Sequence, residues 1–117
     1  MQRRPTLILL YLVFILAGTA APVSAAPRRI EITAKRFTYE PDAITLRKDE
    51  AVLLVLKSTD VTHGLRIREL GVDLKFSADK PVEVLFTPRK AGDFVGHCSA
   101  FCGRGHGQMK VTFHVVE

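Results

Sequence analysis

Residues 98–115 read C-S-A-F-C-G-R-G-H-G-Q-M-K-V-T-F-H-V, two patterns run together. The second part is a strand. Val111, Phe113 and Val115 point one way and Lys110, Thr112 and His114 the other, the period-two alternation of a half-buried sheet strand. The first part is rich in soft donors: Cys98, Cys102, His106 and Met109 bring two thiols, an imidazole and a thioether into one short run. Such donors select copper over calcium, magnesium or manganese. The two cysteines are the only ones in the chain, and Met1 is its only other methionine. Metal binding is therefore the leading reading. His63, upstream in S-T-D-V-T-H-G-L, is a further ligand candidate.

The chain before this stretch keeps the same strand character. Ile30 and Ile32 alternate with polar neighbours; Pro41-Asp42 makes a turn; Ile44 and Leu46 resume the alternation; Lys48-Asp49-Glu50 turns again. Val52 to Leu56 is a continuous apolar run, which predicts a strand buried on both faces. Leu65 to Arg68 and Val72 to Phe76 are shorter strand candidates. Pro81 suits the start of a strand carrying Val82, Val84 and Phe86. Thr87 to Gly92 is a turn, and Phe94 leads into Cys98. No segment after residue 27 keeps helical periodicity, and no repeat is visible. Seven or so short strands in residues 27–117 predict an all-β Greek-key sandwich. The metal residues are expected on loops between strands, held by a rigid scaffold.

Residues 1–25 stand apart. Arg3 and Arg4 form a basic start, Leu7 to Ala17 is apolar, and Val23-Ser24-Ala25 is a plausible cleavage site, the layout of a signal peptide. An uncleaved anchor is the competing reading. It needs roughly 20 apolar residues, and Gly18, Pro22 and Ser24 interrupt the run. Residues 27–117 are then one extracytoplasmic (periplasmic) domain, with membrane contact only if the leader is retained. Loss of residues 1–25 removes two of the 17 basic residues and none of the 12 acidic ones, which leaves a charge of about +3. The charges are scattered, and no basic stripe with interleaved aromatics points to nucleic acid.

Three pieces carry a resemblance: D-V-T-H-G around His63, F-T-P-R-K-A-G-D-F at 86–94, and the C-x3-C-x3-H-x2-M loop. On them, Phe37 to Glu117 resembles a cupredoxin and, within that superfamily, the binuclear copper (CuA) domain of cytochrome c oxidase subunit II. The resemblance implies two copper ions bridged by Cys98 and Cys102. His63 and His106 would cap one copper each, Met109 would be a weak ligand on the copper that holds His63, and Ala100 would contribute its backbone carbonyl. It also implies electron transfer with a redox partner such as a cytochrome or a terminal oxidase, and no substrate turnover by the domain itself. Ala100 stands where the family commonly carries a Glu that supports a magnesium site, and the chain has no Trp.

The residues themselves leave other readings open. Cys98 and Cys102 are compatible with a disulfide in an oxidising compartment. His63, Cys102, His106 and Met109 alone satisfy a mononuclear blue-copper site. A copper-binding or delivery protein without electron transfer would use the same soft donors. Asp60, three residues before His63, is expected either to hold a hydrogen bond behind the ligands that orients the loop or to be an ordinary turn residue. His97 is a further donor candidate behind the site, and His114 is expected at the surface. The glycines of G-R-G-H-G are expected to let a partner approach His106 closely, and Arg104 beside it favours an acidic partner surface.

Overall fold

Alternation in the last strand becomes a one-sided burial pattern: Val111, Phe113 and Val115 lie in the core, while Lys110 is exposed and Thr112 and His114 are half-covered. The structure is a computed structural model that describes residues 26–117 together with residues 15 and 17–19. The reading of residues 1–25 as a signal peptide or anchor falls almost wholly outside the described residues. Among the described residues no helix is long and apolar enough to cross a membrane.

Nine strands run in order: β1 (Arg28–Lys35), β2 (Thr38–Glu40), β3 (Ala43–Arg47), β4 (Val52–Ser58), β5 (His63–Ile67), β6 (Val72–Phe76), β7 (Val82–Phe86), β8 (Gly92–His97) and β9 (Lys110–Val116). They form two sheets, β2-β1-β4-β7 and β3-β9-β8-β5-β6. β1 pairs with β4 and β3 with β9 in parallel, and the other pairs are antiparallel, so the chain crosses between sheets in the Greek-key manner. The fold is an all-β sandwich of two sheets, as the alternation in the sequence predicts. Ile32, Leu54 and Leu56 from one sheet meet Leu65, Ile67, Phe76 and Phe113 from the other in one core. Each such side chain contributes about 1.5–3 kcal/mol of burial.

Three local expectations change. Short β2 was not foreseen; Thr38 and Glu40 are exposed and only Tyr39 turns inward, so three residues carry too little pattern to read. β5 begins at His63, earlier than expected, because Gly64 leaves room for close approach to the neighbouring loop; Arg68 starts a 3-10 turn, Arg68–Leu70. In β4, Val55 on the second face is buried, but Leu53 and Lys57 are only half-covered. The site lies at the end of the five-stranded sheet where β8 stops, β9 starts and β5 opens.

Candidate metal centre

Loop 98–109 joins β8 to β9, adjacent antiparallel strands with His97 opposite Lys110, so its two ends are pinned together. Its interior curls on itself: the amides of His106, Gln108 and Met109 donate to the carbonyls of Gly103, Gly105 and His106, and His106–Gln108 is a 3-10 turn. Gly103 has φ +138°, a conformation L side chains rarely adopt. A Cβ at Gly103 or Gly105 would stand 2.9 or 2.5 Å from the ring of Phe37, so these glycines let the loop lie on that ring. Gly107, by contrast, has nothing within 4 Å.

The curl gathers the soft donors. Cys98 and Cys102 are 5% and 3% exposed and are free thiols, with sulfurs 3.7 Å apart. His63 is fully buried, and its Nδ1 lies 3.9 Å from the Cys98 sulfur. His106 Nδ1 is 3.7 Å from the Cys102 sulfur, and the buried Met109 sulfur is 3.9 Å from it. The Cys98 thiol donates to the Ala100 carbonyl at 3.0 Å. One donor atom each from His63, Cys98 and Cys102 falls within 4.8 Å of the others. The six residues are thus linked in a run of neighbours, His63 and the Ala100 carbonyl beside Cys98, Cys98 beside Cys102, and His106 and Met109 beside Cys102.

This donor set fits a soft or borderline metal. With bonds of about 2.3 Å to thiolate and about 2.0 Å to imidazole, two donors on one ion stand about 3–4 Å apart. The observed separations of 3.7–3.9 Å match that spacing. Burial pushes the Cys102 thiol above its ordinary range, Cys98 adds to the rise and the Arg36 guanidinium opposes it. Without metal this thiol is protonated at neutral pH, and binding must release the proton.

Around the donors lies a hydrogen-bonded frame. Asp60 Oδ1 is 2.7 Å from His63 Nε2 and accepts from the Val61 amide at 2.6 Å; its Oδ2 accepts from the Arg36 amide at 2.8 Å. Burial alone would raise this carboxyl, but those three bonds prevail and hold it at about 2. An ionised carboxylate can only accept. The proton of neutral His63 therefore sits on Nε2, which leaves the Nδ1 lone pair facing Cys98.

Arg36 also donates through Nε to the Cys102 carbonyl at 2.8 Å, tying the end of β1 to the loop. The Tyr39 hydroxyl donates to the Gly64 carbonyl at 2.6 Å; burial first, then the two nearby thiols, hold this phenol far above its ordinary pKa. A Cβ on Gly64 would collide with the Ser99 hydroxyl and stand 3.1 Å from the Ala100 amide. Arg36, Phe37, Tyr39 and Gly64 were not foreseen. None is a metal-ligand type, and only their spatial placement shows what they do.

The remaining histidines stay outside. His97 is exposed, beside Arg66 across the β5–β8 pair, and His114 Nδ1 lies 2.6 Å from Asp93 on the outer face. Phe101 is 81% exposed, with its ring centroid 5.7 Å from that of His106.

The family model for a cupredoxin-like domain matches residues 6–111. The chain belongs to the cupredoxin-like family. It is 25% identical over 99 residues to cytochrome c oxidase subunit 2 of Thermus thermophilus, covering 83% of this chain and 73% of that protein. It is 28% identical over 75 residues to the subunit 2 of Vanderwaltozyma polyspora, covering 64% of this chain and 30% of that protein. The fold is similar to the periplasmic domain of cytochrome oxidase subunit II of Bradyrhizobium japonicum, at a TM-score of 0.71 and 21% identity over 81% of this chain and 88% of that one. Copper is the metal that this cupredoxin and its subunit 2 relatives imply.

Proposed function

We propose that this cupredoxin is an extracytoplasmic electron relay with a binuclear copper centre, similar in role to the subunit 2 relatives. The observation that carries the reading is the pair of buried thiols 3.7 Å apart, with one imidazole set against each: His63 by Cys98 and His106 by Cys102. Cys98 and Cys102 would be shared between two ions, His63 and His106 would each hold one, Met109 would be a weak ligand on the His63 side, and the Ala100 carbonyl would serve the other. Two copper ions so held would supply one-electron chemistry in which the geometric change is shared between two centres.

The chain's own part is to hold and to exclude. Asp60 fixes the His63 ring and its proton at Nε2. Arg36 and Tyr39 fix the backbone on either side. Burial of His63, both cysteines and Met109 keeps water away. Metal catalysis needs an open coordination position. Six donors leave none in this arrangement, so the domain passes electrons without turning over a substrate. A mononuclear site of His63, Cys102, His106 and Met109 would leave Cys98, whose sulfur lies near both His63 Nδ1 and Cys102 Sγ, without a role. A cytochrome or a terminal oxidase is the redox partner proposed, and residues 1–25 are the export signal or anchor.

The test is copper stoichiometry with an electron paramagnetic resonance spectrum of the copper-loaded protein. Two coppers per chain and a hyperfine pattern with more lines than one nucleus can give are expected. One copper and an ordinary four-line pattern, with Cys98 reduced, would establish the mononuclear reading instead.

A further inference from the structure

The charges of this protein are arranged differently at its two ends. Away from the metal loop, several basic side chains stand in ion pairs, Arg29 with Glu83, Lys57 with Glu31, Arg47 with Glu50, Lys48 with Glu117 and Arg89 with Asp49, although Arg28, Lys80 and Lys90 have none among the described residues. Of the arginines and lysines set around the metal loop, only Arg66 is so paired, with Asp73. Residues 97–110 hold His97, Arg104, His106 and Lys110 and no carboxylate. Arg66, His97 and Lys110 stand side by side across β5, β8 and β9, all exposed and so on the outer face of the sheet, where β8 runs into Cys98 and β9 leaves Met109. Arg68 lines the same shallow cleft as Arg66 and His97. On the other flank the Arg36 guanidinium is held against the loop at the Cys102 carbonyl.

Carboxylates near this end are few or already engaged. Asp73 pairs with Arg66 at 3.1 Å, and Asp60 is occupied by His63 and two backbone amides; Glu69 shares the cleft. Arg36, Arg68, Arg104 and Lys110 have no ion-pair partner among the described residues. Phe101, 81% exposed, stands in the loop against the half-covered ring of His106. An aromatic centre inside a cationic rim is the layout of a docking face, the centre giving contact and the rim steering encounter.

We infer that the face formed by Phe101, His106, Arg104 and Lys110, flanked by Arg36 and Arg68, docks a redox protein whose own electron-exchange face is acidic. The inference rests on the relay reading and names the chemistry of the partner for it. Four uncompensated cations at this end would repel a lysine-rich partner.

Two c-type cytochromes serve as probes, one with a carboxylate-rich haem-edge face and one with a lysine-rich face. Binding is measured by titration calorimetry on the full chain, metal-free and copper-loaded, from about 20 to about 300 mM salt, which shortens the screening length severalfold. The acidic-faced cytochrome is expected to bind at low salt and to weaken about tenfold or more across that range. Arg104→Glu with Lys110→Glu is expected to weaken it about tenfold at low salt, while Lys48→Glu, at the opposite end, changes little. Tighter binding of the lysine-rich cytochrome, salt-independent binding, or charge reversals without effect would overturn the proposal. Preferential binding to anionic lipid vesicles would do the same, making the face a membrane surface.

Electron transfer is read separately, as one ferric haem reduced per electron lost by the reduced, copper-loaded protein. Salt-dependent binding without that transfer would leave the docking face standing and remove the relay. Equal, salt-independent transfer to both cytochromes would keep the relay and remove the acidic partner.

Discussion

The two histidines of the metal centre occupy opposite environments. His63 opens a strand, is fully buried, and is held through Nε2 by a carboxylate that is itself held by two amides. His106 lies in a 3-10 turn, is half-covered, and among the described residues has no side-chain hydrogen-bond partner other than the Cys102 sulfur. One imidazole belongs to the scaffold and the other to the surface. A site that must be stiff and also reachable divides those duties between its two ends.

The strongest test of that division removes what joins the ends. Cys98→Ser and Cys102→Ser, made separately, are each expected to abolish the binuclear resonance signal, since each sulfur serves both sides. Survival of the signal in either variant would break the comparison by showing that the two imidazoles do not share a bridged pair.

A second test needs no metal. His63→Ala leaves a cavity in a packed core and deprives Asp60 of its partner, so the metal-free protein should lose about 2–4 kcal/mol of unfolding free energy. His106→Ala should stay within about 0.5 kcal/mol, as exposed substitutions do. Equal losses in urea titrations would show that His106 is as structural as His63.

Glycine replacements sharpen the contrast further. Gly64→Ala meets Ser99 and the Ala100 amide, and Gly105→Ala meets the Phe37 ring; each is expected to cost about 1–3 kcal/mol and to weaken copper loading. Gly107→Ala meets nothing and should leave thermal midpoint and loading nearly unchanged. Loss of loading in Gly107→Ala alone would place the rigid part of the loop at the surface end.

The smallest effect concerns acid. Asp60 is held at about 2 against an ordinary 3.8. A carboxyl depressed in the fold stabilises it fully above its ordinary value, and that contribution disappears as pH falls from 3.8 towards about 2. The metal-free protein should therefore lose more stability than Asp60→Asn between about pH 5 and about pH 2.5, measured by urea midpoints. Identical acid profiles would mean that Asp60 does not anchor the His63 side.

How far these arrangements can be read from residues depends on how local their signal is. Strand β9 and the run Val52–Leu56 announce themselves because alternation and apolar continuity are properties of consecutive residues. The C-x3-C-x3-H-x2-M spacing is local as well, and His63 was found because D-V-T-H-G accompanies it. Asp60 was legible as a candidate support for its loop, three residues before His63, but that it holds the His63 ring was not. Arg36, Phe37 and Tyr39 were not legible, because each acts on a residue distant in the chain: Arg36 on Cys102, Phe37 on Gly103 and Gly105, Tyr39 on Gly64. The loop glycines were read for a partner's approach, and the packing of Gly103 and Gly105 on Phe37 was not foreseen. A missing side chain marks a close approach, but the sequence does not say whether the approaching surface is another molecule or the protein's own Phe37.

The position of β9 in its sheet has a consequence for when the site comes into being. Sheet order β3-β9-β8 places β9 between two strands that precede it in the chain, so neither can find its ladder partner until β9 itself has been made. Domains fold as units, and loop 98–109 is pinned at both ends only where β8 pairs with β9, so Cys98, Cys102, His106 and Met109 are expected to come together beside His63 only once β9 has paired. Metal capture then serves as a completion signal: a chain ending at Lys110 keeps all six donor residues yet should hold no stoichiometric copper, whereas the full chain does. A truncated chain that loads normally would show that the loop assembles ahead of the sheet.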